Sequence, residues 1–198
     1  MITSSRSENS ETAMINAIYK LADAGGSVIQ VRTREPLRAA LTLRKHLVGS
    51  SSPYKEWDVI NGFRVFTREN FTEPRITGDS TDLMTALHVP LNELRNPSSE
   101  VHAKSDRIHF FAYVDPQPFM KDNPITTELL QQYAAILPSV NICVVLVTPD
   151  MSLPDLPVGT VLVADMPTPS AEELQTALTR IVNDSVAGST KEGFTEGS

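Results

Sequence analysis

The run Asn141-Ile142-Cys143-Val144-Val145-Leu146-Val147 limits most strongly what this chain can fold into. Its apolar residues do not alternate with polar ones, so a strand built from it must be covered on both faces. That is the condition of a parallel sheet between two helical layers. Four further stretches suit places beside it: 27–32 (SVIQVR), 56–60 (EWDVI), 107–114 (RIHFFAYV) and 160–164 (TVLVA). Asn61-Gly62 is a turn signal that allows a third short strand or edge hairpin at 63–67.

Between these runs the period changes to that of helices. Residues 11–24 carry Met14, Ile15, Ile18, Leu21 and Ala22 at three- and four-residue steps, and Gly25-Gly26 ends the segment. Pro36 suits the first position of a helix that runs to Leu47, with Leu37, Ala40, Leu41, Leu43 and Leu47 inside and Arg38, Arg44 and Lys45 outside. A short helix over 81–89 takes its cap from Asp79, Ser80 or Thr81 and stops at Pro90. Ile125, Leu129, Leu130, Tyr133, Ile136 and Leu137 line one side of a helix over 124–137. A last helix over 167–182 is capped near Ser170, with Glu172 and Glu173 in its first turn, where the helix dipole favours acids. Residues 68–80 and 91–106 show no strong pattern. The expected fold is α/β, a three-layer αβα sandwich with a mainly parallel sheet of about five strands. Its expected bounds are 11–182, after a disordered start at 1–10 and before a flexible acidic tail at 183–198.

Composition fits one globular domain: 198 residues, 40% hydrophobic, net charge −7. The acidic balance excludes a polybasic nucleic-acid binder, whose nonspecific affinity comes from massed Lys and Arg. The lone Cys143 excludes an internal disulfide framework. No apolar run approaches the ~20 residues of a membrane span, and Met1–Glu11 lacks the layout of a secretory signal. A soluble cytoplasmic protein is therefore expected. Charge is uneven: residues 1–114 hold 14 basic and 13 acidic side chains, a balance of +1, and residues 115–198 hold 3 and 11, a balance of −8. Such polarity favours head-to-tail packing of copies or docking on a charged partner, although an acidic helix and tail that only keep the chain soluble would give the same count.

The chemistry of the first strand-to-helix turn is decisive for what is missing. A phosphate-binding loop needs Gly residues so that backbone N–H groups can wrap the phosphates, with Lys and Ser or Thr beside them. Here the turn reads Val31-Arg32-Thr33-Arg34-Glu35-Pro36, and neither Gly-Lys-Ser/Thr nor Gly-x-Gly-x-x-Gly occurs in the chain. Arg32, Arg34 and Arg38 are the candidate anion- or partner-binding set, near the sheet edge where open α/β sheets bind ligands. A solvated helix face with Glu35 as counter-ion is the simpler reading of the same spacing. Asp115 closes an apolar strand, where phosphate-handling enzymes place a Mg²⁺-binding carboxylate, but Pro116 follows it and no second acid does. Cys143 is read as a core residue, Trp57 as a core or edge anchor, and His109 as pointing out of its strand. His46, His88, His102 and His109 have no metal-ligand spacing. No catalytic residue and no metal site is expected.

Three stretches together resemble an AAA+ ATPase core that has lost its active site. VIQVRTREPLRAALTLRKHL fills the strand-turn-helix slot of a P-loop without its residues. RIHFFAYVDPQPFMKDNP resembles the strand that bears the acidic motif, and NICVVLVTPDMSLPDLP through TVLVADMPTPSAEELQTAL resembles the stretch that follows the central strand. More narrowly, the chain resembles the degenerate N-terminal domain of tandem AAA+ ATPases of plastid, cyanobacterial and phage type. Arg34-Glu35, Trp57 to Gly62, Asp115 to Asp122 and Leu153 to Leu156 carry that likeness over about residues 27–182, with 68–106 unmatched. Asp115 then stands at a vestigial acidic-motif position. The resemblance implies a non-hydrolysing AAA+-like module that assembles, anchors or regulates an AAA+ ATPase. Its partner would be an AAA+ ATPase domain or another copy of itself, not a membrane or nucleic acid. No cofactor is expected, and ATP with Mg²⁺ only if the site is atypical. The competing readings are an anion- or nucleotide-binding domain that uses Arg32, Arg34 and Arg38, and an accessory nucleic-acid-binding protein.

Overall fold

The computed structural model describes residues 10–77, 81–102, 107–120, 123–149, 156–157, 159–172, 174–176, 178–179 and 182–183. Elements run in the order α1 (Ser10–Asp23), β1 (Val28–Arg32), α2 (Pro36–Gly49), β2 (Tyr54–Asp58), β3 (Gly62–Phe66), β4 (Arg75–Ile76), α3 (Leu83–Leu87), α4 (Val89–Arg95), β5 (His109–Val114), α5 (Gln117–Met120), α6 (Pro124–Ile136), β6 (Ile142–Thr148) and β7 (Leu162–Asp165). Backbone contacts divide the chain into two compact units, Met1–Met166 and Pro167–Ser198. In the second unit, residues 171–172, 174–176, 178–179 and 182–183 are helical. The Ser170 carbonyl accepts the first helical bond, from Leu174 N–H.

Among the described residues the sheet has seven strands rather than about five, in the order β4-β3-β2-β5-β6-β1-β7. The five expected strands are parallel neighbours. The hairpin partner β3 and the two-residue β4 extend one edge antiparallel. Side chains alternate across the sheet and separate the core into two layers. Ile29, Val31, Phe110, Ala112, Cys143, Val145 and Val147 pack with Met14, Ile15 and Ile18 of α1 and with Ala39, Leu43 and Leu47 of α2. Val28, Trp57, Phe111, Tyr113, Val144 and Leu146 pack with α3, α4 and α6 on the other face.

Several expectations are corrected. β2 starts two residues early and stops at Asp58, because the Asp58 carboxylate accepts from Ile60 and Asn61 N–H and bends the chain there. Pro90 opens α4 instead of ending a helix, since the first turn has no use for the N–H that proline lacks. The cap of α3 is Asp82, which accepts from Thr85 N–H. Of the cap residues expected, Asp79 and Ser80 lie outside the described residues, as do the first nine residues, Asp122, 151–155 and the tail from 184. His109 is buried. Leu37 and Leu41 are not inside: α2 buries Ala39, Ala40, Leu43 and Leu47, and Leu41 lies two residues, roughly 200°, around the helix from Leu43. The helix carries two leucine stripes and has a core for one. Ile125 and Ile136 of α6 are likewise exposed.

Candidate functional site

Chain direction places the candidate site at the C-terminal ends of β1 and β6. From β1 the chain crosses through α2 towards β2, whereas from β6 it passes to β7 on the opposite side of β1. The connections leave in opposite directions there, and open α/β sheets bind their ligands in the crevice at such a reversal.

In this chain the crevice is laced by its own groups. Thr33 N–H donates to the Thr148 carbonyl at 2.9 Å, Asp115 N–H to the Val147 carbonyl at 2.9 Å, and Met166 N–H to the Arg32 carbonyl at 3.0 Å. The buried Gln30 amide donates to Thr148 Oγ1 at 2.9 Å. The turn into α2 closes on itself, with Glu35 N–H donating to Thr33 Oγ1 at 2.9 Å. Pro36 supplies the first helical residue, and no side chain caps the helix.

The three arginines of the candidate set lie on this turn but do not converge. Arg32 makes a two-point contact with Asp165 on β7, at 2.7 and 3.0 Å. That contact holds the Asp165 carboxyl below its ordinary pKa. Arg38 reaches back to Glu35 at 2.9 Å. Arg34 is exposed, and among the described residues no carboxylate pairs with it. Asp115 is exposed at the end of β5 with a φ of 50°, a left-handed conformation that Asp tolerates better than most residues. No cation pairs with it among the described residues.

Two polar clusters had no signal in the sequence, because their members are far apart along it. The first is buried between α2 and the β2–β3 hairpin. Glu56, 1% exposed, accepts from Arg44 at 2.7 Å, from Arg64 at 2.8 Å and from the Tyr54 hydroxyl at 2.9 Å. Arg64 also donates to Asp58. Burial, then the adjoining Glu56 carboxylate, pushes the Tyr54 hydroxyl pKa well above its usual value. The second cluster floors a cleft of about 550 Å³ at the opposite ends of the strands, beside the start of β2 and β5. There Lys55 Nζ lies 2.5 Å from Glu93, which also accepts from Ser99. Burial opposes the Glu93 charge, but these two hydrogen bonds outweigh it and hold the carboxyl below its ordinary pKa.

Neither cluster forms an activated nucleophile. Cys143 is fully enclosed in β6, and burial raises its thiol pKa far above the usual range. Among the described residues no group of three or more His, Cys, Asp or Glu could hold a metal ion, and no helix is long and apolar enough to cross a membrane.

The mainly parallel sheet between two helical layers has a counterpart among known families. Residues 14–165 match the family described as SpoVK-like AAA ATPase, N-terminal domain. The chain belongs to that family. The matched span starts in α1 and ends at the last residue of β7, so it takes in the whole sheet and both helical layers. No curated protein matches the chain. As an AAA ATPase N-terminal domain, the chain is an AAA+-associated module with an α/β fold of the P-loop NTPase kind.

Proposed function

We propose that this domain is a non-hydrolysing module of the plastid, cyanobacterial and phage type, which assembles, anchors or regulates an AAA+ ATPase in the cytoplasm. ATP hydrolysis then resides in a following or partner domain. The observation that carries the reading is the turn between β1 and α2. A phosphate cradle requires several backbone N–H groups aimed at one point, with positive charge beside them. Here Pro36 has no N–H, the Glu35 N–H is bonded to Thr33 Oγ1, and Arg38 is paired with the Glu35 carboxylate. A phosphate brought to this turn finds too few free backbone donors, and two of the three arginines there are already paired.

The purified chain should hydrolyse no ATP, and it should associate with itself or with an AAA+ ATPase domain in a salt-sensitive way. ATP turnover above the protein-free rate refutes the reading. So does a chain that stays monomeric at every concentration and captures no AAA+ ATPase. The rival anion-binding function would use Arg32, Arg34 and Arg38. Arg32 and Arg38 would have to leave Asp165 and Glu35 to serve it. Calorimetry with ATP and ADP separates the two: heat with either nucleotide favours the rival, and Mg²⁺-dependent heat would give Asp115 a role.

A further inference from the structure

The exposed stripe of α2 runs Leu37, Leu41, Lys45, one residue per helical turn, with Arg38 alongside and Arg34 in the turn that precedes the helix. Leu37 is 74% exposed and Leu41 55%. Single exposed leucines are ordinary, but two stacked leucines bracketed by cations form an amphipathic strip of the kind that docks. A second apolar surface lies elsewhere on the same unit, at the C-terminal ends of β2 and β5. Ile60, 82% exposed, and the exposed Val59 form the tip of the β2–β3 hairpin. The exposed Phe119 of α5 lies edge-on to Trp57, with ring centroids 6.4 Å apart, and so stands next to that tip.

The tip is held rigid. The Asp58 carboxylate accepts from Ile60 N–H, Asn61 N–H and the Asn61 side chain, and Arg64 clamps it from β3. Rigid apolar groups lose little conformational freedom on docking, which favours their use in an interface. The charges beside the two surfaces are opposite. Arg34 borders the leucine strip and Asp115 ends the strand that leads into α5; neither has an ion-pair partner among the described residues.

We propose that a second copy of this chain is the occupant: the Leu37–Leu41 strip of one copy docks on the Ile60–Phe119 surface of the next, with Arg34 facing Asp115. The proposal rests on the assembly reading above and names its surfaces. The two surfaces are different, so the contact is head-to-tail, and each copy keeps one unused face for a further neighbour.

Sedimentation of the full chain over a range of concentrations tests this. Wild type should self-associate, more weakly as salt rises. Leu37→Asp and Ile60→Asp should each weaken association by about tenfold or more, the effect of a charge placed at an apolar contact centre. Mixing the two variants should restore a dimer, because one strip and one hairpin tip remain intact between them, and that dimer should not grow. Both positions face solvent, and unchanged circular dichroism and thermal midpoints confirm the folds. If either variant unfolds, Arg34→Glu and Asp115→Lys replace them: each should weaken association alone, and their mixture should restore it without stopping at a dimer, because the reversed charge pair matches as well as the native one. A monomeric wild type, variants that associate as wild type does, or a mixture that restores nothing overturns the proposal. A wild type that stays monomeric but captures an AAA+ ATPase domain overturns only this assignment and leaves the assembly function standing, whereas ATP hydrolysis by the chain counts against that function.

Discussion

Glu56→Gln removes one charge from the most buried ionic cluster, and its cost can be worked from the contacts. Among the described residues Glu56 is the only acid that reaches Arg44, at 2.7 Å, and it shares Arg64 with Asp58. Both guanidinium groups also lie over the Phe66 ring, at 4.1 and 5.5 Å. Neutralising Glu56 leaves two cations against one ring with a single remaining carboxylate, and it turns an amide N–H₂ towards one of them. Removing one partner of a buried pair costs about 3–5 kcal/mol. The low end, about 3 kcal/mol, applies because the arginine side chains keep some contact with solvent and Asp58 still serves Arg64. The cation–ring contacts persist in the variant and do not offset the loss. For a chain of this size that corresponds to a fall in Tm of about 6–12 °C. Arg44→Leu should cost less, because Glu56 keeps Arg64 and the Tyr54 hydroxyl. Arg32→Ala is the control: it breaks an exposed pair and should cost under about 1 kcal/mol. Differential scanning calorimetry of the three variants decides the matter. A Glu56→Gln loss no larger than that of Arg32→Ala would refute the view that this cluster fastens α2 to the hairpin.

Gly26→Ala should destabilise by about 1–3 kcal/mol, the usual cost of overpacking, because a Cβ there would lie 2.7 Å from the Leu21 carbonyl oxygen and 2.5 Å from Leu162 Cδ1; a denaturant midpoint equal to wild type would contradict this. Cys143 should be silent to a thiol reagent at pH 8 in the native chain and react fully on unfolding, since it is enclosed and its thiol pKa is raised; labelling of folded protein would show that β6 opens. Asp58 and Glu93 both have folded-state pKa values below their unfolded ones, for Asp58 because bonds from Asn61 and Arg64 outweigh its burial. The stability they add is therefore present above the unfolded values and lost as pH falls through the folded ones. Tm should hold steady down to about pH 4.5 and decline below it, and Glu93→Gln should lessen that decline.

The parallel sheet was legible because its strands are continuous apolar runs, and a run such as Ile142–Thr148 can lie nowhere but under cover on both faces. The two-residue β4 was not, since Arg75 and Ile76 bury nothing and gain strand geometry only from the neighbouring β3. On α2 the pattern misled. Leu37, Leu41, Leu43 and Leu47 all suit a core, and only packing on the sheet shows which stripe faces it. That the turn after β1 holds neither Gly nor Lys could be read directly, because a residue is either present or absent in a sequence. What fills the turn could not. Arg32 finds Asp165 across a separation of 133 residues, and Glu56 finds Arg44 and Arg64 through the register of a hairpin. No local spacing encodes those partners.

The partners at the turn after β1 bear on what this edge of the sheet needs for its stability. A crevice at a strand-order reversal exposes the last N–H and C=O groups of two strands, and buried polar groups left without partners are costly. In this chain Thr33, Asp115 and Met166 N–H bond to carbonyls of neighbouring strands, the Gln30 amide bonds to Thr148, and Arg32 spans to Asp165. These groups are turned inward to another part of the edge, while Arg34 and the Asp115 carboxylate stay exposed beside it. Such an edge needs no bound anion for its stability, so the sheet can serve as a rigid frame for surfaces displayed beside it. Ile60 on its clamped hairpin and Leu37 on the helix that leaves the same turn are surfaces of that kind. On this account a triphosphate should leave the Tm of the isolated chain unchanged, whereas self-association should raise the Tm with protein concentration. A rise in Tm with ATP and no dependence on protein concentration would reverse the argument.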